Sequence, residues 1–408
     1  MSLSSSQRFL LGGAFLAAFL FGFVAGAWGI LLPDVMGFYR LTPVTVGLFF
    51  VTIAVGYVLG ALGCGQWFSA QGARTLLLLG SFLLLLSSLL LGFRPPLLLA
   101  VGAYGLIGFS VGLLDTSYST LLACFPRSAT WLHLYMASFS IGGLVSPLMT
   151  GALLAARWGW NSVFFVLGSL CVPLLLLCAL QDCSLFTAMS TSSRHADGSH
   201  AQIRDRGTVL AALASPQVWL LGLFILFAAG VYGSLNSWFY SFALYDRHLT
   251  PSLASTLMSG FWLGLLFARL FLHLIVDRWR MSKMSLIFGC LGGTILGVAL
   301  LWVVPGGAGM AICCVLVGLC QGSPYPTVLS LVPDLIEPSI VSRALSLMMA
   351  TNIVGSMLLP LSVGALVQQV GFWTLPFSLL GATAVALGIW WVLYGHGQRV
   401  MRRREAID

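Results

Sequence analysis

Apolar runs long enough to cross a lipid bilayer constrain this chain more than any other feature. A transmembrane helix needs about 20 predominantly apolar residues, and the sequence divides into twelve such runs separated by short polar or charged segments. We therefore expect an all-α integral membrane protein with twelve transmembrane helices. The predicted spans are 9–32, 44–68, 75–93, 97–123, 131–156, 160–180, 217–245, 252–275, 284–304, 309–335, 342–369 and 372–396.

The composition supports the same class. Only 7% of the residues are charged and 59% are hydrophobic, whereas about a quarter of the residues in a water-soluble domain are charged. The nine cysteines show no metal-ligand spacing and read as small core residues. We expect no cofactor, no metal and no enzymatic activity, because no paired catalytic constellation falls at one depth in the spans.

The basic residues predict the orientation. Lys and Arg accumulate on the cytoplasmic side of membrane proteins, and with the N-terminus inside, fourteen of the 19 basic residues fall in inner segments. Both termini are then cytoplasmic in a plasma or inner membrane. The basic C-terminal end indicates contact with membrane lipid rather than nucleic acid. Four arginines remain in outer loops, namely Arg40, Arg94, Arg157 and Arg247, and Arg269 lies inside the eighth span.

The longest polar stretch divides six predicted helices from six. It covers residues 181–207 and predicts an N-terminal bundle over 1–180 and a linker over 181–216. A C-terminal bundle over 217–396 and a basic tail over 397–408 follow.

Two motif pairs indicate that the halves are repeats. "LTP" occurs at 41–43 and 249–251, while "PLMTGAL" at 147–153 matches "PLSVGAL" at 360–366. The spacing is nearly constant and the order is the same, so we predict two six-helix bundles built as parallel repeats.

Loop motifs resemble those of the major facilitator superfamily. "HLIVDRWRMSK" at 273–283 is similar to its Gly-x-x-x-Asp-Arg-x-x-x-Arg/Lys loop and keeps Asp277 and Arg278. The first-half loop at 65–74 has Ser69 in place of the acid. The resemblance implies the major facilitator fold and a cytoplasmic charge clamp that holds one conformation. Its expected members are Arg74, Arg269, Asp277 and Arg278.

A second resemblance covers helices 4 and 5. Residues 112–148 are similar to the fucose:proton symporter branch, which carries an acid at the position of Asp115. The helix 1 acid of that branch would fall near Gly29, its helix 4 Asn at Ser119 and its helix 5 His at Met136. Because these three residues differ, the resemblance implies the fold and says little about the solute.

Asp115 also stands out from physical chemistry. Of the eleven acidic residues it is the one well inside a predicted span, where an ionised carboxylate costs at least about 2.5–3.5 kcal/mol. No Lys or Arg lies in helices 1, 4, 7 or 10 to pair with it, and protonation removes the cost. We predict that Asp115 is the proton-coupling residue. The alternative is a structural role, with Asp115 bonded to Thr116, Ser119 or a neighbouring helix.

Aromatic and amide residues in the spans are candidate solute contacts. Rings stack on the C–H face of a sugar and amides bind hydroxyl groups, although the same residues also serve as interface anchors or bridges between helices. Gln321 and Tyr325 lie in "QGSPYP", whose prolines predict a break in the tenth helix. The candidates are Trp28, Tyr118, Ser119, Tyr232, Asn236, Tyr240, Gln321, Tyr325 and Asn352.

These features predict a monomeric secondary transporter that moves a small polar, sugar-like solute by proton symport through alternating access. Its expected partners are the solute, protons and membrane lipid. Two other classes stay open at this point. One is a proton-coupled drug or metabolite exporter, and the other is an organic-anion carrier, for which Arg269 is the available buried cation.

Overall fold

The structure is a computed structural model that describes the backbone of residues 5–125, 128–181, 209–279, 281–304, 307–337 and 339–405. The polar stretch that divides the predicted halves lies outside the described residues from 182 to 208. Every regular element in the described ranges is an α-helix.

Six helices form the first half. They are α1 (Ser5–Tyr39), α2 (Gly47–Gln71), α3 (Ala73–Gly92), α4 (Leu97–Ala123), α5 (Ser128–Ala155) and α6 (Ser162–Leu180). After a short α7 (Val209–Leu213), the second half contains α8 (Pro216–Tyr245), α9 (Pro251–Trp279), α10 (Lys283–Val303), α11 (Ala308–Gln321), α12 (Pro324–Leu335), α13 (Val341–Val370) and α14 (Thr374–Glu405).

Twelve helical segments are long and apolar enough to cross a membrane within the described part of the chain. This confirms the predicted number. One of them, Ala308–Leu335, contains both α11 and α12. The helix is interrupted between Gln321 and Pro324, because a proline lacks the backbone N–H that would continue the hydrogen-bond ladder.

The chain forms two compact units. The first contains α1–α6 together with Leu249–Trp262, the start of α9, and the second contains α7, α8, the remainder of α9 and α10–α14. Within the first unit, the Ser259 hydroxyl donates to the Leu144 carbonyl of α5 at 3.0 Å, and the Trp262 ring lies 5.6 Å from that of Phe139.

Close helix packing in the first unit recurs in the second. A Cβ at Gly22 of α1 or Gly142 of α5 would meet the backbone of the other helix. In the second unit, Gly230 of α8 faces Leu359 of α13, and a Cβ at Gly355 would meet the backbone of α8. Gly230 lies 208 positions after Gly22, the spacing of the "LTP" pair, and Gly355 lies 213 after Gly142, the spacing of the "PLMTGAL" pair. The parallel repeat predicted from the motifs is therefore present in the packing.

Three of the four arginines predicted in the outer loops lie just after the ends of helices. Arg40, Arg94 and Arg157 follow the ends of α1, α3 and α5 with φ values of 54°, 53° and 61°. A left-handed residue commonly ends a helix, and a cation at that end interacts favourably with the helix dipole. The guanidinium of Arg94 also donates to Asn161 Oδ1 at 2.9 Å.

Candidate functional site

The contact between α2 and α4 positions the residues around Asp115. A Cβ at Gly108 would meet the carbonyl oxygen of Ile53, and a Cβ at Gly112 would meet that of Tyr57. Small residues let transmembrane helices approach to backbone contact. Tyr57 therefore lies beside the turn of α4 that carries Asp115.

Asp115 binds two aromatic hydroxyl groups. The Tyr57 hydroxyl of α2 donates to Oδ2 at 2.6 Å, and the Tyr135 hydroxyl of α5 donates to Oδ1 at 2.7 Å. An ionised carboxylate is an acceptor at both oxygens, so both are satisfied without a cation. Within the described residues no Lys or Arg forms an ion pair with Asp115. Its partners come from neighbouring helices, not from Thr116 or Ser119.

Sequence reasoning missed both tyrosines. It followed one helix face at a time, whereas Tyr57 and Tyr135 reach Asp115 from two other helices. A signal was available in each case. Tyr57 is the single tyrosine of α2, and Tyr135 precedes Met136, the position at which the resemblance to the fucose:proton symporter branch would place a histidine.

The repeat locates the equivalent positions in the second unit. A Cβ at Gly322 would lie 2.5 Å from the Cβ of Ala268 and 3.2 Å from the carbonyl oxygen of Leu265, and a Cβ at Gly112 would lie 2.1 Å from the carbonyl oxygen of Tyr57. The step from 57 to 265 is again 208, and the step from 112 to 322 is 210. These two glycine contacts therefore align α2 with α9 and α4 with the segment around the helix break.

That alignment gives the Asp115 cluster a counterpart without a charged residue. Asp115 corresponds to Tyr325, 210 positions later, and Tyr135 corresponds to Met348, 213 positions later. Met348 is fully buried in the hydrophobic core of the second unit, and Tyr325 packs against that core. Tyr57 corresponds to Leu265, which is 1% exposed. These positions therefore hold a leucine, a tyrosine and a methionine in one repeat, and a carboxylate with two tyrosines in the other.

Three of the candidate solute residues belong to the first unit, namely Trp28, Tyr118 and Ser119. Trp28 is buried and its ring lies 4.5 Å from that of Tyr104. Tyr118 is buried, with its hydroxyl 3.2 Å from Cys178 Sγ and accepting from Gln181 Nε2 at 3.3 Å. Ser119 is partly exposed. Neither Trp28 nor Tyr118 is hydrogen-bonded to Asp115.

The candidates on α8 lie in the second unit. Asn236 and Tyr240 are buried, while Tyr232 is partly exposed. Tyr232 and Arg269 of α9 interact electrostatically. The structure thus brings an intramembrane arginine together with one of the predicted aromatic residues.

The remaining solute candidates are distributed over three helices. Gln321, the last residue of α11, donates to Thr294 Oγ1 of α10 at 3.3 Å. Tyr325 packs against the core of the second unit. Asn352 is partly exposed on α13.

The expected clamp residues are described in part. The guanidinium of Arg74 donates to the Ala179 carbonyl near the end of α6, so it contacts its own unit. Arg278 is exposed in the last turn of α9. The side chain of Asp277 lies outside the described residues. Among the side chains that the structure describes, no cluster of three or more metal-ligating residues occurs.

Comparison with known proteins gives a family match over most of the chain. The family described as Major Facilitator Superfamily matches residues 14–336 and 244–405. A crystal structure of a mutant of nucleoside transporter NupG matches with a TM-score of 0.76 and 14% identity, covering 94% of this chain and 100% of that one. At that identity the likeness concerns the fold.

Curated relatives are distant. The chain is 20% identical over 387 residues to Protein TsgA homolog of Buchnera aphidicola, covering 92% of each chain. It is 21% identical over 276 residues to Bypass of stop codon protein 6 of Saccharomyces cerevisiae, covering 64% of this chain. The match spans 55% of the yeast protein.

Proposed function

The chain belongs to the Major Facilitator Superfamily and is a multi-pass membrane transporter of a small molecule, and on that premise we propose that it imports a small polar, sugar-like solute by proton symport. Asp115 is the proton-coupling residue in this proposal. The protein acts as a monomer, with both termini on the cytoplasmic side of the plasma membrane.

The polar cluster around Asp115 is the observation that carries the proposal. A carboxylate inside a span is costly and is usually functional. The equivalent positions of the second unit are Leu265, Tyr325 and Met348, so the helix packing itself does not require a carboxylate. An acidic residue at this position is explained if the protein binds and releases a proton there.

Protonation would change the free energy of enclosing Asp115 in an occluded site. In an occluded site an ionised Asp115 depends on Tyr57 and Tyr135 alone, whereas a protonated Asp115 carries no charge to desolvate. Alternating access exposes the same group first to one side and then to the other. A proton bound outside and released inside then drives the solute inward.

The solute class rests on the aromatic and amide side chains within the spans, which suit the C–H faces and hydroxyl groups of a sugar-like compound. Partly exposed candidates are the better solute contacts, because buried side chains such as Trp28 and Tyr118 are already packed within their unit. The partly exposed set is Ser119, Tyr232, Gln321, Tyr325 and Asn352.

Arg269 favours a second candidate function, transport of an organic anion. It lies inside the membrane span Pro251–Phe271 and interacts with Tyr232 of α8. An intramembrane arginine is a natural partner for a solute carboxylate or phosphate. In the proton-symport proposal Arg269 instead belongs to the conformational clamp with Asp277.

Uptake into proteoliposomes separates these functions. Radiolabelled monosaccharides, nucleosides and sugar phosphates are offered with and without an inward proton gradient. We expect a neutral sugar or sugar-like compound to accumulate only with the gradient. Accumulation of sugar phosphates that is lost in Arg269→Gln would favour the organic-anion carrier. Solute movement only against the direction of proton flow would indicate an exporter.

A further inference from the structure

We propose that a groove at the start of α6 binds one anionic phospholipid, with the lipid phosphate on Arg94 and an acyl chain along the exposed face of α6. The groove lies within the first unit. The inference depends neither on the solute nor on the direction of transport. It goes beyond the general contact with lipid that every membrane-spanning protein makes.

The groove is an open cavity of about 500 Å³, within the usual size range of small-molecule sites. Its lining changes in character along α6. Trp158 and Asn161 line the end that precedes the helix, whereas Phe165, Val166 and Ser169 line the part along its first two turns. Such a groove suits a molecule that is polar at one end and apolar beyond it.

Arg94 supplies a fixed cation at the polar end of the groove. Its Nε donates to Asn161 Oδ1 at 2.9 Å, and its Cζ lies 5.8 Å from the centre of the Phe38 ring. The guanidinium also lies against Gly159, where a Cβ would meet Nη2. Asn161 is itself held, because its Nδ2 donates to the Gly92 carbonyl at 2.7 Å. These contacts hold the guanidinium in one place, so Arg94 is preorganised to bind an anion.

The positive charge at this end is not neutralised within the described part of the chain. Arg94 and Arg157 are both exposed, and Arg157 directly precedes the groove residue Trp158 in the sequence. Among the described side chains, neither arginine forms an ion pair. A guanidinium has five N–H donors, of which Asn161 accepts one. The remaining donors of Arg94 can bind two oxygens of one phosphate.

The apolar wall continues along α6 beyond the groove. Phe165, Val172 and Leu176 are exposed and recur at intervals of seven and four residues, so they lie on one face of the helix. The ring of Phe93, next to Arg94, packs edge-on against that of Phe165 at 5.3 Å. The buried residues of α6 lie on its other side, and the helix packs against α3 and α1. The exposed apolar face is therefore the one left to acyl chains.

The two parts of the groove together favour an anionic phospholipid over simpler ligands. A free phosphate would use the arginine and leave the apolar face uncovered. A zwitterionic phospholipid would bring a positive group close to Arg94 and Arg157. An anionic phospholipid matches both the basic end and the apolar wall, and arginines at a membrane surface attract anionic lipids.

Native mass spectrometry of the full chain in detergent tests the site, with phosphatidylglycerol and phosphatidylcholine of identical acyl chains as the probes. We expect the wild type to bind the first phosphatidylglycerol more tightly than the first phosphatidylcholine. Arg94→Gln should weaken phosphatidylglycerol binding about tenfold or more, because a charge-assisted contact is lost, and remove the preference. Lys283→Gln is the matched control. It removes one positive charge from an exposed residue of the second unit and should keep the preference.

Ser169→Trp tests the apolar part of the groove separately. Ser169 is exposed, so the larger side chain fills the groove without entering the core, and it should weaken binding of both lipids. Thermal unfolding checks that each variant is folded. Equal affinity of the wild type for the two lipids, or an unchanged preference in Arg94→Gln, overturns the headgroup contact. Unchanged binding in Ser169→Trp overturns the placement of the acyl chain. Displacement of the lipid by inorganic phosphate alone would make this a site for free anions and overturn the proposal.

Discussion

In the described part of the chain, Asp115 is held by two tyrosine hydroxyls and not by a cation. A cation is the other group that can stabilise a carboxylate in a membrane. An arginine only donates hydrogen bonds and favours the ionised acid. A tyrosine hydroxyl donates to the carboxylate and accepts from the protonated acid. Tyr57 and Tyr135 therefore let Asp115 remain hydrogen-bonded in both states, as a site that gains and loses a proton requires.

Tyr118 offers a test at the residue scale of whether a buried candidate contacts solute. Its hydroxyl lies within a network with Cys178 and Gln181. We expect Tyr118→Phe to lower the free energy of unfolding by about 1 kcal/mol, the usual worth of a hydrogen bond, and to leave solute affinity unchanged. Thermal unfolding in detergent and solute binding measure the two effects. A loss of affinity with unchanged stability would make Tyr118 a solute contact.

At the scale of elements, the glycine contacts between α2 and α4 set the geometry of the site. Gly108 and Gly112 allow backbone contact with Ile53 and Tyr57. The distance from Tyr57 to Asp115 therefore depends on the lack of a side chain at Gly108 and Gly112, which lets the two helices approach. A change at this contact should alter both stability and the Asp115 site.

Gly112→Ala and Gly102→Ala form a matched pair on α4. A Cβ at Gly112 would meet the Tyr57 backbone, whereas a Cβ at Gly102 meets open space. We expect Gly112→Ala to destabilise the protein by about 1–3 kcal/mol through overpacking and to lower proton-driven uptake of solute. Gly102→Ala should be neutral or stabilising by about 0.5–1 kcal/mol, because alanine favours helix. Equal stabilities for the two variants, measured by thermal unfolding, would contradict this account of the contact.

At the scale of the whole molecule, the sequence predicted the architecture better than the site. Hydropathy predicted the twelve spans and the motif spacing predicted the repeat, because both patterns run along the chain. Tyr57 and Tyr135 depend on how three helices meet, which no period within one helix encodes. The break between Gln321 and Pro324 was predictable because a proline acts on its own helix.

Orientation of the whole molecule is tested by cysteine accessibility. In a chain freed of its native thiols, a cysteine placed at Ser192 should react with a membrane-impermeant reagent from the cytoplasmic side only. A cysteine at Arg157, which is exposed after the end of α5, should react from the outer side only. The basic residues predict this arrangement. The reverse pattern would overturn both the orientation and the inward direction of transport.

The central claim is that Asp115 couples proton movement to solute movement, and Asp115→Asn tests it most directly. Asparagine keeps a polar side chain of similar size but cannot gain or lose the proton. Proteoliposomes with the variant are assayed for exchange of labelled solute against unlabelled solute, and for accumulation driven by an imposed proton gradient. We predict that exchange persists and that accumulation is lost. Accumulation at the wild-type level in Asp115→Asn would contradict the account and place the coupling site elsewhere.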